Sequence, residues 1–174
     1  MRGPAGSGKT TWMRWMFRRL LHDEKTLPLM VELRRLARFW YTPGQPDPEH
    51  FLDAYLNDLV VDQPGEAYRG RLTETLSEPG KMQPVLLIDG WDELGELGEE
   101  LRRKLVGFMQ AYSRVRVVVT SRPYGQGRPS HSEGFQVLDI QPLSDGEIED
   151  LARRQTNSKG IYLWSPQRNP SLVR

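Results

Sequence analysis

The stretch Gly3-Pro4-Ala5-Gly6-Ser7-Gly8-Lys9-Thr10-Thr11 constrains this chain more than any other. It fits the pattern G-x-x-x-x-G-K-[ST], with Gly3, Gly8, Lys9 and Thr10 at the fixed positions. Glycines leave the backbone uncrowded, so successive N–H groups can turn inward around phosphate oxygens. In a loop of this kind the lysine reaches the β- and γ-phosphates, and the hydroxyl residue holds Mg²⁺. The helix that opens at Thr10 adds its positive dipole end. A glycine-rich turn before an ordinary helix is the plain alternative, and the matched positions ahead of an amphipathic run weigh against it.

The rest of the chain alternates between strand and helix patterns. Residues Thr10 to Leu21 read as a helix, with Trp12, Met13, Met16, Phe17 and Leu20 at helical steps and Arg14, Arg18 and Arg19 between them. The apolar set reads as core and the arginines as a solvated face. Leu27 to Leu33 reads as a short buried strand, with Pro28 tolerated near its start. A loop is expected from Pro43 to Pro48, a helix along Phe51 to Val60, and another from Ala67 to Leu76 ended by Pro79-Gly80. Pro84-Val85-Leu86-Leu87-Ile88 is a continuous apolar run, as suits a strand buried on both faces. A helix follows with Leu101, Leu105, Phe108, Met109 and Tyr112 on one side. Val115 to Thr120 is a β-branched strand, Tyr124 to Gly134 a loop, and Phe135 to Ile140 alternates like a strand. Ser144 with Glu147 forms a capping box before a helix over Asp145 to Gln155.

Strands alternating with helices predict an α/β fold with a parallel sheet, in which ligands sit beyond the carboxyl ends of the strands. The length of 174 residues suits about one domain. A net charge of +1 gives no general pull toward nucleic acid or anionic lipid. With no cysteine, disulfides, thiolate catalysis and cysteine–zinc sites are excluded, which suits a reducing cytoplasm. No apolar run approaches the ~20 residues of a membrane span.

Asp89 ends the apolar strand, where a phosphate-loop NTPase needs a carboxylate for Mg²⁺. Asp92 and Glu93 follow closely, and either could orient the water that attacks a γ-phosphate. A polar turn leaving a strand is the alternative. Arg122, at the end of the next strand, either senses the γ-phosphate across the cleft or is a surface arginine in a turn. Trp91 reads as a packing residue, and His22, His50 and His131 as incidental.

These segments together resemble a known family. Gly3 to Thr11 resembles a Walker A motif, and Leu86-Leu87-Ile88-Asp89-Gly90-Trp91-Asp92-Glu93-Leu94 resembles the Walker B of NACHT-type NTPases, with a small residue after the aspartate and then an acidic pair. Val118 to Pro123 is similar to their sensor 1 segment, Leu138 to Ile148 to the strand leading into their helical arm, and Leu29 to Leu36 to their second strand and its arginine-containing exit. The resemblance implies a three-layer α/β/α core over residues 1–143, truncated before its first strand, with the start of a helical arm over 144–174. It implies a STAND-class switch that binds ATP or ADP with Mg²⁺, assembles with copies of itself, and is flanked by effector and sensor domains. In bacteria such proteins are linked to phage defence and regulated signalling. Carried over by residue, the nucleotide loop is Gly3, Pro4, Ala5, Gly6, Ser7, Gly8, Lys9, Thr10 and Thr11. Mg²⁺ falls to Thr10 and Asp89, the catalytic water to Asp92 or Glu93, and sensor 1 to Arg122.

Two departures from the family pattern carry expectations of their own. The family's loop follows a hydrophobic strand inside the sheet, between the strand ending at Thr120 and the segment near Phe135, whereas only Met1-Arg2 precede Gly3. Unpaired backbone groups on those neighbours would cost about 1–3 kcal/mol for each one buried. The expectation is a fragment or a start assigned too late. At the other end Asn169-Pro170-Ser171-Leu172 resembles a motif inside the helical arm, and the winged-helix region that should follow is not in the sequence. The competing readings are a scaffold remnant that does not hydrolyse nucleotide, a small-molecule kinase with Arg153-Arg154 as lid arginines, and a DNA-binding ATPase. The last needs a basic groove that the composition does not suggest.

Overall fold

The computed structural model describes residues 1–40, 76, 82–124 and 126–159. At its centre is β2 (Gln83–Asp89), flanked by β1 (Thr26–Glu32) and β3 (Arg116–Val119) in a parallel three-stranded sheet of order β1-β2-β3. The residues from Pro84 to Ile88 are all buried, as the unbroken apolar run requires.

Side chains alternate across a strand, so this run feeds two cores. Leu86 and Ile88 join Leu29 and Val31 on one face. There they meet Leu33 and Leu36 of α2 (Leu33–Trp40), and Leu101, Leu105 and Phe108 of α3 (Leu97–Ala111). Val85 and Leu87 point the other way, onto Met13 of α1 (Lys9–Leu21), with Trp12, Met16, Phe17 and Leu20 around it. Helices therefore cover both faces, giving the expected three layers. Each large aliphatic side chain buried this way contributes about 1.5–3 kcal/mol. The arginine face of α1 is solvated as expected, and Arg19 lies over the exposed Trp15 ring at 5.4 Å.

Three expectations need correcting. The chain leaves β1 at Glu32 and turns at once into α2, so Leu33 is a helical core residue rather than the end of a strand. The reason is local: Leu33, Leu36 and Ala37 recur at helical spacing and pack on the same core. Phe135 to Ile140 forms no ladder strand; it makes an isolated parallel bridge at Asp139. That bridge is to Arg2, which also bridges Ser121. Within the expected 124–134 loop, a 3₁₀ turn spans His131–Glu133 under a capping box from Ser130.

The bridge at Arg2 occupies the place expected for a strand between β3 and the Phe135 segment. Met1 nitrogen donates to Val119 O at 2.7 Å, Ser121 N donates to Met1 O at 3.1 Å, and Arg2 N donates to Leu138 O at 2.7 Å. The Arg2 guanidinium grips both Asp139 oxygens at 2.7 Å. That hydrogen-bonded pairing holds the Asp139 carboxyl below its ordinary range. Beside it, Trp12, Met109, Val117, Val118 and Phe135 line a largely apolar cavity of about 350 Å³.

Contacts divide the chain into a unit over Met1–Ile140 and a second over Gln141–Arg174. In the second, α4 (Asp145–Lys159) begins under the expected capping box, with Ser144 N and Oγ both donating to Glu147 Oε2 at 2.8 and 2.7 Å. Ile148 and Leu151 of α4 are exposed. The expected 43–48 loop and the expected helices over 51–60 and 67–76 lie outside the described residues, apart from Leu76, which is helical and buried. The 169–172 motif lies outside them as well.

Candidate nucleotide site

Parallel pairing in register brings the strand ends to one level. Glu32 pairs with Asp89, and Ile88 with Val119, so the residues just beyond β3 stand beside the end of β2. Thr120 N donates to Ile88 O at 2.9 Å and continues that alignment. The glycine loop arrives at the same edge, because Gly3 N donates to Ser121 O at 3.3 Å.

The loop has the geometry its glycines permit. Gly6 and Gly8 sit at φ 75° and 83°, a region open to glycine, and a Cβ at either would meet nothing within 4 Å. α1 opens directly after Gly8, and its first N–H groups have no partner within the helix. Lys9 Nζ is folded back on the loop, donating to Gly3 O and Pro4 O at 2.7 Å each. Thr10 Oγ1 donates to Asp89 Oδ2 at 2.8 Å. The lysine-bearing helix and the strand-end carboxylate, separated by 79 positions between Thr10 and Asp89, therefore meet.

Asp92 and Glu93 lie on a 3₁₀ turn, Trp91–Leu94, and both are held by arginines. Arg122 approaches Asp92 twice, through its backbone N to Oδ1 and its Nε to Oδ2, both at 2.9 Å. Arg34 Nε donates to Glu93 Oε2 at 3.1 Å. Trp91 is fully buried, as expected of a packing residue, and its Nε1 donates to Gly127 O at 3.1 Å. This ties the loop after Arg122 to the turn that carries the acids.

Ala5, Gly6, Lys9, Thr10, Asp89, Asp92, Glu93 and Arg122 all line one cavity of about 370 Å³. Glu32, Leu33, Arg34 and Arg14 line it too. Those four were not singled out as site residues, nor was Thr120, whose Oγ1 donates to Asp89 Oδ1 at 2.5 Å. The signal for Glu32 was its place at the end of a parallel strand, where ligands collect. Gly3, Pro4, Ser7, Gly8 and Thr11 belong to the loop or its helix but do not line this cavity.

The donor set suits a hard cation bound together with phosphates. A threonine hydroxyl and one carboxylate leave most coordination positions to water and phosphate oxygen, the usual arrangement for Mg²⁺. Among the described residues no cluster of three or more His, Cys, Asp or Glu could hold a metal unaided.

The NACHT domain family profile matches residues 1–159. The chain belongs to the NACHT domain family. Among solved structures this NACHT domain is similar to AMPPCP-bound DnaA from Aquifex aeolicus, at a TM-score of 0.57 and 12% identity. The match covers 94% of this chain and 46% of DnaA, so the chain spans under half of that protein's length. At this identity the likeness is one of fold: that of a P-loop ATPase, in keeping with a nucleotide-binding module. No curated protein sequence matches the chain. No helix among the described residues is long and apolar enough to cross a membrane.

Proposed function

We propose that this NACHT domain is the nucleotide-binding and hydrolysing switch core of a STAND-type signalling protein, with residues 1–143 as the core and 144–174 as the start of a helical arm. The observation that carries the reading is the convergence of Lys9, Thr10, Asp89, Asp92, Glu93 and Arg122 on one cavity. Lys9 would exchange its loop carbonyls for phosphate oxygens, and the N–H groups of the loop would cradle the phosphates. Thr10 and Asp89 would hold Mg²⁺, which supplies charge neutralisation across the β- and γ-phosphates when bound.

The ion pairs support a division of labour between the acids. Asp92 has both oxygens engaged by Arg122, whereas Glu93 is met through one oxygen by an exposed Arg34. Glu93 is therefore the better candidate to orient the attacking water. Asp92 would hold Arg122 until a γ-phosphate draws the guanidinium away. Self-assembly, flanking effector and sensor domains, a bacterial defence role and a cytoplasmic location follow from the same reading as proposals about the parent protein.

Calorimetric titration with ADP and ATP in Mg²⁺ tests this. Lys9→Ala should abolish the binding heat. Glu93→Gln should slow hydrolysis by about 10²–10⁴-fold and leave affinity intact. Asp92→Asn should slow it less. Titrations of wild type and Lys9→Ala that superimpose would overturn nucleotide binding, and unchanged turnover in both acid variants would overturn the catalytic assignment. A second reading, a module that holds nucleotide without hydrolysis, draws on the pairing of both acids with arginines. Binding that depends on Lys9 with no turnover would select it.

A further inference from the structure

Thr120 is fully buried, yet its hydroxyl is at the centre of the strand-end hydrogen bonds. Oγ1 donates to Asp89 Oδ1 at 2.5 Å and accepts from Gly90 N at 3.1 Å. Its backbone closes the same turn, because Thr120 N donates to Ile88 O and Thr120 O accepts from Trp91 N, both at 2.9 Å. The other oxygen of Asp89, Oδ2, accepts from Thr10 at 2.8 Å and belongs to the cavity side. Each oxygen of this carboxylate is thus held by a different threonine, one lining the cavity and one buried behind it.

The two threonines are not equivalent. The Thr10 hydroxyl is exposed to the cavity and, on the function proposed above, exchanges Asp89 for the cation. The Thr120 hydroxyl is shut away from solvent and stays. Once Thr10 has turned, the Thr120 hydroxyl is what opposes rotation of the carboxylate about its Cβ–Cγ bond.

We propose that Thr120 is a positioning residue for Asp89, and that its buried hydroxyl keeps Oδ2 facing Thr10 and so sets the Mg²⁺ dependence of nucleotide affinity. The inference rests on the nucleotide reading. It adds a residue whose role is to orient the cation's carboxylate rather than to touch cation or phosphate. A purely structural role predicts something different. Valine has the shape of threonine and keeps the β-branch, so a packing role survives Thr120→Val and fails with Thr120→Ser. A positioning role does the reverse.

The test is ADP affinity of the full chain, measured across a Mg²⁺ titration and in EDTA. Thr120→Val should need about tenfold more Mg²⁺ to reach half of its affinity gain, the scale of a lost hydrogen bond to a charged group, with EDTA affinity unchanged. Thr120→Ser should titrate as wild type. The proposal is overturned if Thr120→Val titrates as wild type, if it loses affinity equally with and without Mg²⁺, or if Thr120→Ser behaves like it. Should Thr120→Val not fold, Thr120→Ala, which leaves room for a water at Gly90 N, is read by the same criteria. A crystal structure of the variant gives a readout free of nucleotide. Asp89 rotated away from Thr10 supports the proposal, and Oδ2 still within hydrogen-bond reach of Thr10 sinks it. A wild-type chain showing no Lys9-dependent binding would defeat the nucleotide reading alone, and the orientation of Asp89 in that crystal structure would still decide the role of Thr120.

Discussion

The phosphate loop is suspended between two supports of different construction. On one side stands β2, paired with β1 from Thr26↔Gln83 through Glu32↔Asp89 and with β3 from Val85↔Arg116 through Ile88↔Val119. Its side chains fill both cores. On the other side Arg2 bridges Ser121 and Asp139, with Met1 hydrogen-bonded to Val119 and Ser121 beside it and an ion pair whose partners are 33% and 53% exposed. The first support is a ladder buried on both faces, and its register sets the level of Asp89 and Thr120. The second is a short clasp of backbone hydrogen bonds from Met1 and Arg2, with one partly exposed ion pair at its edge. Thr10 and Asp89 therefore hang from the stiff support, while the entry of the loop at Gly3 hangs from the light one.

The comparison can be broken from either end. Leu86→Ala on β2 should have the largest effect, about 2–5 kcal/mol of global stability, because a fully buried side chain serving the larger core leaves a cavity. A urea midpoint within error of wild type would mean that β2 is not the main support. Arg2→Ala should act locally and far more weakly, since exposed ion pairs contribute little. Hydrogen exchange should speed up at the Ile140 amide, which donates to Arg2 O, and stay slow along β2. Uniform acceleration at both places would erase the distinction drawn here.

Acid should produce the smallest effect and sharpen the comparison further. Hydrogen bonding from Arg2 lowers the Asp139 pKa below its ordinary 3.8, and hydrogen bonds from Ser130, with Arg102 nearby, lower that of Glu133 below 4.5. A carboxyl that is more acidic when folded stabilises the fold fully above its unfolded pKa. That stabilisation is lost as pH falls through the depressed folded value. Stability attributable to these two groups should thus be level above pH 4.5 and fall below pH 3.8. Asp139→Asn should remove part of the acid-dependent loss in a urea series over that range. The same slope in wild type and Asp139→Asn would place the acid sensitivity elsewhere.

Much of this was legible in the residues. The apolar run at Pro84–Ile88 suits a strand buried on both faces, and the structure makes it the middle one. The helical spacing of Trp12, Met13, Met16, Phe17 and Leu20 put the right face of α1 on the sheet. Phe135 to Ile140 misled because alternation reports which face a side chain takes, not whether a neighbour supplies a ladder. α2 is hard to read because the apolar run of β1 continues into Leu33, and the helical spacing of Leu33, Leu36 and Ala37 covers little more than one turn. Arg34 lies in the arginine-containing exit and Thr120 in the sensor-like segment, but neither position announces its partner, which is Glu93 for Arg34 and Asp89 for Thr120, each distant in the chain.

Taken by itself, the order of residues determined the glycine loop, the lysine and hydroxyl after it, the central apolar strand and the acids that follow. Those features depend on neighbours within a few positions, where spacing and backbone freedom suffice. Only the tertiary structure decided that Thr120 holds Asp89 from behind, that Arg122 and Arg34 each take one of the two acids, and that Arg2 closes the far side of the loop. Those pairings arise from the parallel register of strands, which brings together side chains from distant parts of the chain and leaves no periodic trace in it.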